Sequence, residues 1–365
     1  MMYIRGFPRT LDRYIMREFL GPFFFCVIGF TVILLSGLLF QLTDLIFVKN
    51  VPVATVSRML LYKIPGTAVL TLPISVLFAT LLSLGRLVQD SEITVMRGSG
   101  VSFPRLIAPV VLLGLIVSGV TYWASEEIVP WANHQFENTL RRIVFSEGIP
   151  IVQENVFFHG GEDRYFYIGE VSTKTNELHN ILVYELGDRP FPNLITAKTG
   201  MFQDNVWVLF DGISQELDSE GFVQYETRFG RLEIITEQEA EVFLGNQRTT
   251  DEMNRRELKG HIERFQRGGL KVRSFVVDYH MKLALPMSSL IFTLFGAPMT
   301  LRSRAGRSFG VALSLVVLLF YYVAVSVARS LGVNEVLPPL LSAWIVNLLF
   351  AVIGLWLIIR SDQLK

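Results

Sequence analysis

Arg86, Asp90, Ser91, Glu92 and Arg97 gather polar and charged side chains in one short stretch of an otherwise apolar part of the chain. They stand in the stretch Gly85–Gly100, GRLVQDSEITVMRGSG, between two uncharged runs long enough to cross a bilayer. The stretch is too polar for the membrane interior and too short for a domain. Leu87, Val88, Ser91 and Val95 recur at three- and four-residue spacing, with Arg86, Asp90, Glu92 and Arg97 among them. This pattern predicts a short amphipathic helix over 86–98, stopped by Gly98 and Gly100. A short polar helix hung between two membrane helices can touch only the lipid surface or another protein. The plainer alternative is an ordinary solvated loop.

No catalytic arrangement competes with it. The sequence has no G-x-x-x-x-G-K-[ST] and no H-E-x-x-H, so it offers neither a nucleotide-binding P-loop nor a zinc-protease helix. The histidines, at 134, 159, 179, 261 and 280, are scattered without metal-ligand spacing. The single cysteine, Cys26, lies in an apolar run and says nothing about compartment. No cofactor or metal is expected. No span carries a charge near its middle, which disfavours an ion-coupled carrier. The chain is expected not to be an enzyme, and its energy should come from another subunit.

The elements around the cluster follow from composition. The chain has 365 residues, 51% of them apolar, with mean hydropathy +0.42 and zero net charge. That is too apolar for an ordinary soluble domain. Residues 1–18 alternate Arg5, Arg9, Arg13 and Arg17 with Asp12 and Glu18, while Leu11, Tyr14, Ile15 and Phe19 share one helical side. This reads as an amphipathic segment on the membrane surface. Six spans are expected: Phe19–Thr43, Ile64–Gly85, Leu106–Ser125, Leu283–Leu301, Ser308–Ala328 and Val336–Ile359. The first starts near Phe19 and is too long for the apolar core of a cleavable leader. Asp44–Lys63 reads as a short amphipathic connection, and Pro73 should kink the second span unless neighbours satisfy the freed carbonyl.

Between Glu126 and about Lys282 no run could cross a membrane. A helix over Glu126–Phe145 is followed by short β-rich segments at 156–158, 164–171, 181–186, 194–202, 205–217 and 222–236, separated by turn residues. These predict an all-β sandwich or roll. Thr249-x-x-Glu252 fits a capping box opening a helix over 251–266. In Asn205–Phe210, Val206, Val208 and Phe210 share one face and Trp207 and Leu209 the other, so both faces need an apolar cover. That cover is protein or lipid acyl chains. The division is thus 1–125, an N-terminal membrane half; 126–282, an inserted β domain with flanking helices; and 283–365, a C-terminal membrane half.

Arginine and lysine in the short segments set the orientation. With the N-terminus inside, the inner segments hold Arg5, Arg9, Arg13, Arg17, Arg86, Arg97, Arg105, Arg302, Arg304, Arg307, Arg360 and Lys365, against Lys49, Arg58, Lys63 and Arg329 outside. Both termini and the 86–105 loop are therefore expected in the cytoplasm and the β domain outside, which in a double-membrane bacterium is the periplasm.

Three stretches carry a resemblance to a known family: LGRLVQDSEITVMRGSG, DYHMKLALPMSSLIFTLFGAPMTLRSRAGRSFGVALS (278–314) and EVLPPLLSAWIVNLLF (335–350). Taken together, in this order and spacing, the chain resembles the LptF/LptG permeases of the ABC transporter that extracts lipopolysaccharide from the inner membrane. The resemblance implies an α+β membrane protein of six transmembrane helices with a periplasmic β-jelly-roll domain between helices 3 and 4. It implies that Glu92, the acid of the SE pair, faces a groove on a cytoplasmic ABC ATPase dimer, with Asp90, Ser91 and Arg97 around it. It implies a second permease of the same kind, which forms a lateral gate with the first and fifth spans, where Phe40, Gln41, Tyr321 and Tyr322 lie. The jelly roll would pass lipopolysaccharide or a related lipid to a periplasmic jelly-roll bridge, and nucleic acid has no part. Lys49, Arg58, Lys63, Arg141 and Arg142 are candidates for lipid phosphates, or else snorkelling residues at the interface. The outer half of the first span departs from some members, with Phe40, Gln41 and Thr43 where those carry basic residues. The alternative function is a membrane-anchored scaffold, or a mechanotransmission ABC protein, whose β domain grips a partner without moving lipid.

Overall fold

The structure, a computed structural model, describes residues 9–48, 50–145, 156–159, 164–172, 177–185, 193–203, 206–218, 222–235, 248–267, 272–302 and 307–363. The chain divides into two compact units, one of Met1–Ala132, Asn254–Ile262 and Lys271–Lys365, the other of Asn133–Met253 and Glu263–Leu270.

The first unit holds the helices α1 (Arg9–Phe47), α2 (Val53–Gln89), α3 (Glu92–Gly98), the first part of α4 (Phe103–Phe145), the first part of α5 (Arg255–Arg267), α6 (Arg273–Arg302), α7 (Arg307–Val333) and α8 (Pro339–Gln363). Six of these, α1, α2, α4, α6, α7 and α8, are long and apolar enough to cross a membrane. All six expected spans are present, five of them inside longer helices; the sixth, expected from Val336, begins at Pro339 as α8. The expected connection at Asp44–Lys63 shrinks to a break near residues 48–52, because Leu45, Val56 and Met59 are buried at helical spacing and extend α1 and α2 toward each other. The third span and the helix expected from Glu126 are one continuous helix, α4.

Prolines do not end these helices. Pro22, Pro65, Pro73, Pro109, Pro130, Pro286 and Pro298 all lie inside them. At Pro298 a neighbouring helix packs closely on the freed carbonyl. A proline there cannot donate to the carbonyl of Leu294, four residues back. Helix α8 brings Gly354 against that carbonyl, so closely that a Cβ at 354 would lie 2.8 Å from the Leu294 oxygen and 3.0 Å from the Phe295 nitrogen. Two backbones can meet at this distance only through a residue without a side chain.

The buried side of α7 is tied by polar atoms as well. The Tyr321 hydroxyl donates to Asn347 Oδ1 at 2.7 Å, and Asn347 Nδ2 donates to the Ala284 carbonyl at 2.6 Å, which joins α7, α8 and α6. Phe292 and Phe350 pack edge-on against the Tyr321 ring.

The second unit holds one antiparallel sheet of six described strands: β1 (Val156–His159), β2 (Arg164–Ser172), β3 (Glu177–Glu185), β4 (Asn193–Gln203), β5 (Val206–Leu217) and β6 (Val223–Ile235). Neighbours in the sheet are neighbours in the chain throughout, an up-and-down meander without the crossovers of Greek keys. The α+β class with an inserted β domain is as expected, and every expected strand is present.

The sheet curls. Phe166 on β2 and Trp207 on β5 stack with ring centroids 4.9 Å apart, although three strand spacings, about 14 Å in a flat sheet, separate those strands. The enclosed face carries Phe166, Ile168, Leu178, Ile181, Val183, Ile195, Ala197, Trp207, Leu209 and Ile234, all buried. The Trp207–Leu209 face of β5 is therefore covered by protein, while Val206, Val208 and Phe210 opposite are half-buried.

A transverse line of irregular positions runs across the curled sheet. The ladders step over Gly169, Asn180, Lys198, Asp211 and Gly230, which lie in one row across β2 to β6. Asn180 and Asp211 have left-handed backbone, with φ of 55° and 51°. The alternation changes phase there: Leu178 is buried on one side of Asn180 and Ile181 and Val183 on the other. Asn, Asp and Gly are the residues that tolerate such a conformation.

Candidate functional site

The segment between α2 and α4 is built by two turns. Helix α2 runs through Arg86 and Leu87 to Gln89, because Leu87 is buried in the core with Ile93 and Phe103. Ser91 then takes φ 58°, ψ 11°, a left-handed turn that redirects the chain. The expected helix over 86–98 is thereby corrected: its first residues finish α2, and only Glu92–Gly98 form the separate helix α3. The end of α3 is closed by paired backbone bonds. Val101 N–H donates to the Met96 carbonyl at 3.2 Å and Gly100 N–H to the Arg97 carbonyl at 2.9 Å, with Gly100 at φ 93°. This is a Schellman motif, and Gly100 supplies the left-handed position it requires.

One side of α3 faces in through Ile93, while Ser91, Thr94, Val95 and Gly98 face out. Val95 is 70% exposed, an apolar residue on a polar outer face. Arg97 points back into the chain and donates to the carbonyl of Ser361 in the last turn of α8 at 3.2 Å, where helical carbonyls lack donors.

The foot of α1 packs beside this segment. Ile15 and Phe19 are buried with Leu84, Leu87, Ile93 and Leu106. Four acids meet there. Asp12 pairs with Arg105 at 2.9 Å. Glu18 pairs with Arg86, which also reaches Asp90 at 3.2 Å. Glu92 differs: it accepts a bond from the Tyr14 hydroxyl at 2.7 Å, and among the described residues no cation of the chain pairs with it. The structure thus brings Asp90 and Glu92 into one cluster, leaves Ser91 on its outer surface and turns Arg97 toward α8. Tyr14, Asp12 and Glu18 complete the cluster. The apolar side of the N-terminal segment, Leu11–Tyr14–Ile15–Phe19, was the signal for them.

The basic candidates separate. Lys49 lies outside the described residues. Arg58 is exposed and Lys63 half-buried, both on α2. Arg142 is exposed at the end of α4. Arg141 requires a correction: only 7% of its side chain is exposed, and Nη2 donates to Glu252 Oε1 at 2.8 Å, so it is committed within its own unit rather than offered to a lipid. Glu252, fully buried, also meets His134 Nδ1 at 2.9 Å and accepts from the backbone N–H and hydroxyl of Thr249. The expected capping box at Thr249 is present, on a 3-10 turn. The α-helix starts later, at Arg255, with a second reciprocal pair between Asn254 and Glu257. Among the described residues no cluster has the make-up of a metal site.

Of the gate candidates, Phe40 is 82% exposed and Gln41 is exposed, both on α1. Tyr322 is half-buried. Tyr321 is corrected: at 1% exposure it is a core residue of its own chain, fixed by Asn347. The spans also differ in burial. The most apolar stretches of α1 and α7 are 11% and 22% buried, against 44–61% for α2, α4, α6 and α8.

The family described as lipopolysaccharide export system permease LptF/LptG matches residues 13–360. The chain is 23% identical over 334 residues to the lipopolysaccharide export system permease protein LptF of Escherichia coli K12, covering 84% of each. It is 22% identical over 318 residues to the LptG protein of the same strain, covering 83% of this chain and 84% of the relative. With coverage from residue 13 to residue 360, the chain belongs to the LptF/LptG family of lipopolysaccharide export permeases.

Proposed function

We propose that this chain is a permease subunit of an ABC transporter that extracts lipopolysaccharide, or a related envelope lipid, from the inner membrane. Helix α3 docks on a separate cytoplasmic ATPase dimer. The barely buried spans α1 and α7 face a second permease of the same family and form with it a lateral gate. The β roll lies in the periplasm and passes lipid to a jelly-roll bridge. Arg58, Lys63 and Arg142 remain as contacts for lipid phosphates.

The observation that carries the reading is the state of Glu92. Of the acids gathered at the foot of α1, it is the one that no cation of the chain pairs with among the described residues. It stands on the short helix that shows Val95 to solvent. A carboxylate so placed is ready for a cation from another subunit, and Val95 supplies an apolar contact beside it.

The test is Glu92→Lys. Removing one partner of a buried charged pair costs about 2–5 kcal/mol. The variant should insert normally, bind the ATPase at least tenfold more weakly and fail to export lipid. Reversing the matching basic residue of the ATPase should restore part of the loss. Full export by the Lys variant would show that Glu92 is merely solvated.

A further inference from the structure

The coupling reading leaves open what holds Glu92 in place. A glutamate on a short surface helix has three rotatable bonds, and freezing them for a partner costs conformational entropy. Here one carboxylate oxygen, Oε2, is already fixed by the Tyr14 hydroxyl at 2.7 Å, the length of a charge-assisted bond. Tyr14 is itself seated, because Ile15 and Phe19 on the same helix are buried against α2, α3 and α4, and the flanking Asp12 and Glu18 are pinned to Arg105 and Arg86. The second oxygen, Oε1, accepts no bond within the chain among the described residues.

We propose that Tyr14 is a positioning residue for coupling: its hydroxyl aims the Glu92 carboxylate so that Oε1 meets the ATPase, and it ties the foot of α1 to α3. The inference rests on the coupling role of Glu92. Because the bond joins two helices 78 residues apart in sequence, a displacement of α3 by the ATPase is delivered to α1 through it. The same span is the least buried of the six and so the freest to follow.

The experiment compares Tyr14→Phe, Glu92→Ala and the double variant in the full permease, reconstituted with its partner permease and ATPase. Phenylalanine keeps the ring and its packing and removes only the hydroxyl. The readouts are the apparent affinity of the ATPase and the lipid exported per ATP hydrolysed. Tyr14→Phe should weaken binding roughly three- to tenfold, about the net contribution of one ordinary hydrogen bond, because the hydroxyl acts on the ATPase only through Glu92. It should lower the exported lipid per ATP and have no further effect in the Glu92→Ala background. If Glu92→Ala weakens binding and Tyr14→Phe does not, Tyr14 has no positioning role and the coupling role of Glu92 stands. If Tyr14→Phe costs the same with and without Glu92, it acts elsewhere and the inference is overturned. If Glu92→Ala leaves binding unchanged, the coupling reading falls and takes the inference with it.

Discussion

Glu92 and Glu252 look alike in the sequence, each an acid followed by apolar or polar neighbours, and the fold gives them opposite fates. Glu252 is enclosed with Arg141, His134 and Thr249. Its arginine comes from 111 residues earlier in the chain, so no local pattern announces the pair. For this reason the Arg141–Arg142 doublet reads as surface charge from sequence, and only half of it is. Breaking a buried pair by removing one partner costs about 3–5 kcal/mol, because the other charge stays uncompensated. Arg141→Ala should therefore lower the thermal midpoint of the purified permease clearly, while Arg142→Ala, at an exposed site, should change stability by no more than about 0.5 kcal/mol. Equal effects from the two would show that Glu252 does not depend on Arg141. At α3, by contrast, the spacing of Leu87, Val88, Ser91 and Val95 predicted a short helix, and the resemblance of the surrounding stretch to the LptF/LptG permeases singled out Glu92. What stayed hidden was the turn at Ser91, since a left-handed serine has no signature of its own.

At the scale of elements, the spans and strands were largely legible, because each is decided by local composition: long uncharged runs for helices, short β-rich runs between turns for strands. Two features were not. The joins between helices depend on tertiary burial, as at Leu45, Val56 and Met59. The row of irregular positions across the curled sheet aligns only once the register is known. That row makes a specific prediction. Left-handed backbone costs an ordinary L-residue roughly 1–2 kcal/mol, and a β-branched one resists it most. Asn180→Val should destabilise the β roll by at least that amount, whereas Asn180→Gly should be tolerated. Chemical unfolding followed by tryptophan fluorescence, with buried Trp207 as one reporter, measures both. A stable Val variant would mean that Asn180 is not held in the left-handed region.

As a whole, the molecule is a multi-pass membrane protein of a lipopolysaccharide export permease family, with six apolar helices and a β roll inserted between α4 and α5. The arginine and lysine distribution predicts which side each part occupies. A reporter active only outside the cytoplasm should be silent after Gly100 and at Arg304, and active when placed within 160–240. Activity at Arg304 would overturn the orientation.

The central claim is that ATPase action at α3 drives lipid into the β roll. A photoactivatable residue at Leu232 tests it most directly, since this half-buried side chain of edge strand β6 packs against the enclosed apolar core, while its neighbour Arg231 is exposed. In the complete complex in membranes, the account predicts a lipid adduct at 232 that requires ATP, is weak at 231 and disappears in the Glu92→Lys background. An adduct at 232 equally strong without ATP or with Glu92→Lys, or no adduct there in a complex shown to be exporting lipid, would contradict it.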